Sequence, residues 1–344
     1  MRVFEGYQRG INLGGWLSQC VSMTDEHFAS FITEADIATI AAWGLDHVRL
    51  PIDCDVVFAG PDGTLHPRMH YVDDCIAWCG RHGLKLLLDL HKTYGYMFDT
   101  AVVANPDAFF TDATLQDAFI RLWEVLAARY GTLSDRVAFE LLNEVTNPAQ
   151  AQNWNRIAAR AIDAVRAIAP DTWILLGGVN NNSVTRVPLL DPPHDSRIVY
   201  NFHCYEPLMF THQRAGWIAG MPADFVMHYP DSVGAYKEAA NRLGIWQADD
   251  TDTADARLIS PAYFDAMFQC AIDYATQYDV PLYCGEYGVI DQADPHDTVN
   301  WFRDIHAVFV KHGIGRAVWT YKQRDFGLVD AHYDGVQDEL TKLL

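Results

Sequence analysis

Leu84-Lys85-Leu86-Leu87-Leu88-Asp89-Leu90 decides the fold class. A near-continuous apolar run of this length suits a strand of a parallel sheet covered on both faces. Comparable runs occur at Ile11–Gly14, His47–Ile52, Val137–Asn143, Trp173–Gly178, Ile198–Tyr205, Pro281–Tyr287 and Ala317–Tyr321. Between them lie helical patterns. Thr33-Glu34-Ala35-Asp36 supplies an N-cap and first-turn acids to a helix ending near Gly44. Further helices are expected over Tyr71–His82, Leu115–Tyr130, Ala151–Ile168, Ser260–Tyr278, Thr298–His312 and Asp334–Leu344. Eightfold alternation of strand and helix predicts a single (β/α)8 TIM barrel over 1–344 rather than an open sheet.

One segment breaks the rhythm. From Glu206 to Ile259 a long stretch separates the sixth strand from its helix, with Trp217, Tyr229, Tyr236, Trp246 and the acidic run Asp249–Asp255. Because it follows a strand's C-terminal end, the segment is expected to be an inserted loop over the active-site face. It reads equally as a lid or binding loop and as a surface excursion with its own small core.

Bulk composition narrows the function. The chain has 344 residues, half of them hydrophobic, and a net charge of −20. That charge argues against binding nucleic acid through its phosphates, and against strongly anionic substrates. No apolar run approaches the ~18 residues needed to span a bilayer, so no membrane association is expected. The start, Met-Arg-Val-Phe-Glu-Gly-Tyr-Gln-Arg-Gly, lacks the apolar core of a signal peptide, which predicts a cytoplasmic protein. Seven cysteines, an odd number, several of them in apparent core segments, read as free thiols in a reducing compartment. Cys75 and Cys79 share a helix face without two further ligands at metal spacing, and read as core. No cofactor and no metal are expected.

In a barrel of this type chemistry lies at the C-terminal strand ends. There the sequence delivers Arg49 and Asp53, Asp89-Leu90-His91, Asn143-Glu144, His203-Cys204-Tyr205, Gly285-Glu286-Tyr287 and Trp319-Thr320-Tyr321. Strands four and seven stand on roughly opposite sides, so Glu144 and Glu286 can face each other across the mouth. Facing carboxylates suit glycosidic cleavage, one protonating the leaving oxygen and the other attacking the anomeric carbon. The acid must keep its proton near neutral pH, which burial or a neighbouring charge can arrange. Arg49 can keep the nucleophile ionised. A lone His91 or His203 is most often structural, and a lone Trp319 most often core; beside two carboxylates the Trp319 face becomes a floor for a pyranose ring. A metal-dependent hydrolase would use histidines at strand ends, but the His-x-His pair of the first strand is absent, with Asn12 and Trp16 in that region.

These residues bring a family into view. The chain resembles glycoside hydrolase family 5, the cellulase-like family of retaining (β/α)8 glycosidases. The resemblance rests on Gly10-Ile11-Asn12-Leu13-Gly14-Gly15-Trp16, Val48-Arg49-Leu50-Pro51, Asp89-Leu90-His91, Glu140-Leu141-Leu142-Asn143-Glu144, His203-Cys204-Tyr205, Gly285-Glu286-Tyr287-Gly288 and Trp319. It implies Glu144 as acid/base, Glu286 as nucleophile, and Asn143 on the sugar's 2-hydroxyl. It further implies Tyr205 and Arg49 hydrogen-bonded to Glu286, His91 and His203 lining the same subsite, and Trp319 as its floor. The substrate implied is a β-linked glucan, gluco-oligosaccharide or β-glucoside. His91-Lys92-Thr93-Tyr94-Gly95-Tyr96 looks similar to bacterial endo-β-1,4-glucanases, whereas Trp319 to Gly327 looks similar to exo-β-1,3-glucanases. Alternatives are thus an exo-β-1,3-glucanase or β-glucosidase-like enzyme and, from another class, a non-catalytic carbohydrate-binding barrel.

Overall fold

A computed structural model describes residues 1–99, 105–245 and 257–344. Eight strands form the barrel: β1 Arg9–Asn12, β2 His47–Asp53, β3 Lys85–Thr93, β4 Val137–Glu140, β5 Ile174–Gly177, β6 Ile198–Cys204, β7 Leu282–Tyr287 and β8 Gly315–Val318. Each pairs in parallel with the next, and β8 pairs with β1, so the sheet closes. The helices around it are α1 Glu34–Ala42, α2 Met69–Arg81, α3 Ala113–Tyr130, α4 Ala151–Ile168, α5 Val233–Leu243, α6 Pro261–Gln277, α7 Pro295–His312 and α8 Gln337–Leu343. The expected TIM barrel is the observed fold.

Local chemistry explains the helix ends. Thr33 and Asp36 form the capping box of α1, and Asp294 caps α7 by accepting from the His296 and Asp297 amides. Gly313 ends α7 at φ 65°, in the left-handed region that favours glycine. Along α4 the buried side chains are Trp154, Ile157, Ala158, Ala161, Ile162 and Val165, one stripe at helical spacing turned to the sheet.

Inside the barrel, strand periodicity stacks the side chains in layers. Leu87, Ala138, Leu175, Val199, Tyr283 and Ala317 form an apolar layer, closed below by Phe4 and Tyr7. Two residues further along the same strands stand Asp89, Glu140, Asn201 and Gly285, which the period of two brings to the same interior. Their layer is polar, and it underlies the site. Gly285 is required there: a Cβ would lie 2.8 Å from both terminal atoms of the Asn201 amide.

Three features depart from the sequence reading. No long helix joins β5 to β6. The connection is the short turn Val179–Asn182 followed by the 3-10 helix Val184–Leu189, which contains Pro188. Asn180, Asn181 and Asn182 all have left-handed φ, a conformation that Asn tolerates and that cannot propagate a right-handed helix. Strand β8 stops at Val318 rather than Tyr321, because Thr320 turns across the mouth, its hydroxyl donating to the Asn12 carbonyl and accepting from the Gly14 amide. Strand β4 likewise stops at Glu140, short of Asn143.

Between Glu206 and Ile259 the described residues include helix Leu208–Thr211 and α5. Met209, Phe210, Tyr229, Val233, Tyr236 and Ala240 are buried there in continuity with the main core. Tyr229 donates to Asp304 of α7 at 2.7 Å, which ties the segment to the barrel. Trp246 and the acidic run Asp249–Asp255 lie outside the described residues. All seven cysteines are free; Cys54, Cys75, Cys79, Cys204 and Cys284 are buried, whereas Cys270 is exposed. Among the described residues no helix is long and apolar enough to cross a membrane.

Candidate active site

Arg49 organises the polar layer. Fully buried on β2, it makes a bidentate pair with Glu140 at 2.7 and 2.8 Å. Its Nη1 also donates to Glu286 at 2.8 Å and to the Asn12 Oδ1 at 2.9 Å. Its Nη2 donates to the Asn143 Oδ1 at 2.9 Å and lies 3.0 Å from Asp89. One guanidinium thus serves three carboxylates from three strands. Such a planar five-donor fork suits this task where an ammonium would not. Burial pushes the Asp89 carboxyl up to about 7 and raises that of Glu140, against the lowering effect of Arg49.

This network makes a prediction about stability. Arg49→Met leaves three buried carboxylates without their cation. Breaking a buried ion pair from one side costs roughly 3–5 kcal/mol. Urea unfolding of the variant is expected to show a loss of that order, partly recovered by adding Glu140→Gln. An unchanged midpoint would mean that Arg49 does not hold the layer together.

Above this layer lie the two glutamates. Glu286 on β7 accepts from Arg49 and, through its other oxygen, from the Tyr205 hydroxyl at 3.0 Å. Glu144 follows β4, and its backbone adopts a positive φ of 26°. One Glu144 oxygen lies 2.8 Å from His203 Nδ1, and the other accepts from the Asn181 amide at 3.0 Å. Burial raises the Glu144 pKa, against the lowering effect of the Asn181 hydrogen bond. Oxygens of Glu144 and Glu286 lie within 4.8 Å of each other.

The histidines are neutral and oriented. Burial takes His203 down to about 4 and lowers His91 as well. Asn182 donates to His203 Nε2 at 3.3 Å, which leaves the ring proton on Nδ1 facing Glu144. His91 Nδ1 lies 2.6 Å from Asp89, and its Nε2 receives the Gln19 amide at 3.1 Å. The His91 ring lies nearly parallel to Trp319, 13° between planes at 5.7 Å. Trp319 packs with Ala215, Ile290 and Phe326, with Tyr205 and Ile218 against the cluster. Ala215 and Ile218 of the Glu206–Ile259 segment thus pack in the Trp319 cluster, and Trp217 is exposed beside His212.

The structure brings Arg49, His91, Asn143, Glu144, His203, Tyr205, Glu286 and Trp319 to one mouth. It adds Asn12, Glu140, Asn201, Asn181 and Asn182, which sequence reasoning did not assign to the site, and gives Asp89, expected at a strand end, its partners Arg49 and His91. Period-two counting forward from the apolar layer points to Asp89, Glu140 and Asn201, and the Asn180-Asn181-Asn182 run marks the left-handed turn. Chemically, two facing carboxylates, one of them with a raised pKa, can deliver a proton on one side of a bond and a nucleophile on the other. Glu144, His203 and Glu286 also offer three ligand atoms that a divalent metal could share.

Comparison with known proteins follows the same lines. A family model described as Cellulase (glycosyl hydrolase family 5) matches residues 8–325. Cellodextrinase A of Ruminococcus flavefaciens is 43% identical over 312 residues, covering 90% of this chain and 84% of that protein. Endoglucanase C of Acetivibrio thermocellus is 35% identical over 344 residues and is covered, like this chain, to 98%. The crystal structure of endoglucanase Cel5A from Thermotoga maritima shares the fold at a TM-score of 0.75 and 21% identity, covering 98% of this chain and 97% of that one.

Proposed function

The chain belongs to glycosyl hydrolase family 5 and is a glycoside hydrolase, and from that premise we propose that Glu144 and Glu286 cut β-1,4-linked glucans and cellodextrins by double displacement. The facing of the two carboxylates, with one oxygen of each within 4.8 Å of the other, carries the reading. Retaining enzymes place the pair ~5–5.5 Å apart, too close to admit the extra water of an inverting mechanism. Glu286 attacks the anomeric carbon while Glu144 protonates the departing oxygen. A water then gives its proton to Glu144 and its oxygen to the anomeric carbon, and Glu286 leaves. In this reading Asn143 holds the 2-hydroxyl, Tyr205 and Arg49 keep the Glu286 carboxylate in line, His91 and His203 line the subsite, and Trp319 floors it.

The substrate class is supported by the names of two relatives, a cellodextrinase and an endoglucanase. Aryl β-glucosides, β-mannosides and β-cellobiosides, with β-1,3- and β-1,4-glucans, test it together. Cleavage of the cellobioside and the β-1,4-glucan is expected to dominate; activity confined to β-1,3-glucan or mannosides would overturn the substrate assignment. On end-labelled cellohexaose internal bonds are expected to be cut first. Release of terminal units alone would instead mean that the segment from Glu206 to Ile259 closes one end of the cleft.

A metal is not required by this mechanism, since each ligand atom of the Glu144, His203 and Glu286 set has a hydrogen-bonding task. Dialysis against a chelator is expected to leave hydrolysis unchanged. Loss of activity, restored by a divalent cation, would favour a metal-dependent reaction.

A further inference from the structure

The acid/base glutamate is held in an uncommon backbone conformation. Glu144 has φ 26°, outside the regions that a residue with a Cβ prefers. Such a conformation persists only where its surroundings over-determine it. The side chain that grips the backbone leaving Glu144 is Tyr96, whose hydroxyl donates to the Glu144 carbonyl at 2.7 Å and accepts from the Thr146 amide at 2.9 Å. The neighbouring Val145 is held separately, its carbonyl accepting from the Asn181 amide at 3.1 Å.

Tyr96 comes from outside the site. It follows β3 on a tight hairpin, where Thr93 pairs with Tyr96 and Lys92 with Met97. Gly95 at the turn has φ 80°, and a Cβ there would lie 2.5 Å from Leu115. The Tyr96 ring is buried against Phe109 and Phe110, at 5.8 and 5.3 Å. Burial pushes its phenol up to about 12, so the hydroxyl keeps the proton it donates. The ring is therefore seated so that its hydroxyl reaches the backbone at Glu144 and Thr146, with the Thr146 hydroxyl at 3.5 Å.

We propose that Tyr96 is the positioning residue for the acid/base of this enzyme: its hydroxyl locks the peptide around Glu144 so that the carboxyl points at the leaving oxygen. This rests on the assignment of Glu144 as acid/base. Tyr96 touches no substrate and acts through Glu144. A misplacement of about 1 Å in a catalytic group can cost ~100-fold.

The test is Tyr96→Phe, which keeps the ring and removes the hydroxyl's hydrogen bonds to Glu144 and Thr146. Measured as kcat/KM, hydrolysis of aryl β-cellobiosides with poor leaving groups is expected to fall tenfold or more. The dinitrophenyl cellobioside, whose leaving group needs no proton, is expected to stay within about twofold. The alkaline limb of the pH profile for the poor leaving group should shift as well. A uniform loss across leaving groups, or none, would overturn the proposal, because a merely structural hydroxyl has no reason to favour one leaving group. Should Tyr96→Phe fail to fold, Gly95→Ala carries the same test by displacing the hairpin. Wild-type protein that cleaves no β-glycoside would defeat the functional reading instead, an outcome distinct from either.

Discussion

Glu286→Gly is expected to abolish hydrolysis, lowering kcat by a factor on the order of 10⁵. The side chain lost is the group proposed to attack the anomeric carbon; Arg49 is no nucleophile, and burial raises the Tyr205 phenol so that it keeps its proton. The substitution also opens a cavity at the position of the carboxylate. Azide fits such a cavity and is a competent nucleophile. It should restore turnover of a dinitrophenyl cellobioside and yield the glycosyl azide with inverted configuration, because only one displacement then occurs. Near-normal activity of the variant would refute the assignment of Glu286, and a retained azide product would place the nucleophile elsewhere. The fold should survive, since Arg49 keeps Glu140 and Asp89 as partners.

Glu144→Ala is expected to produce a selective rather than a general loss. General acid catalysis contributes roughly 10²–10⁴-fold where the leaving group needs a proton, and little where it does not. The kcat/KM of phenyl or alkyl cellobiosides should therefore fall by about that factor, and that of the dinitrophenyl cellobioside far less. Azide should again accelerate turnover, here by attacking the glycosyl-enzyme from the face of the missing base, and the product should retain configuration. The pH profile adds an independent check. Burial raises the Glu144 pKa, so its acid form persists to higher pH than that of a free glutamic acid. Activity on poor leaving groups should decline as pH rises through that raised value, and the alanine variant should lack this alkaline limb. Equal losses for all leaving groups would argue against an acid role.

Much of the site is legible in local sequence because strands speak locally. Leu84–Leu90 and its counterparts announce buried strands by their apolar density, and a polar group ending such a run must lie at the barrel mouth. Asn143-Glu144 and Gly285-Glu286 are read in this way. The side chains that hold them are harder to see. Asp89 and Glu140 look like interruptions of apolar strands until the register aligns them, as β3 and β4 do by pairing Asp89 with Glu140. Asn181 and Asn182 lie in a stretch without periodicity, and their left-handed backbone is a property of the turn. Tyr96 looks like one more aromatic after β3, because nothing local tells that its hydroxyl ends on the backbone beside Glu144. The connection after β5 fails as a helix for a local reason, Pro188, but alternation alone obscures it.

The sequence by itself determined the barrel, its strands and two glutamates just beyond or at the ends of β4 and β7, because hydrophobic period and residue type are local quantities that burial must satisfy. Tertiary structure alone decided that Arg49 reaches Asp89, Glu140 and Glu286 at once, that Glu144 meets His203 and Asn181, and that Tyr96 fixes the Glu144 peptide. Those partners stand far apart along the chain. Their meeting depends on closure of the sheet and on the stagger between strands, which no window of sequence contains.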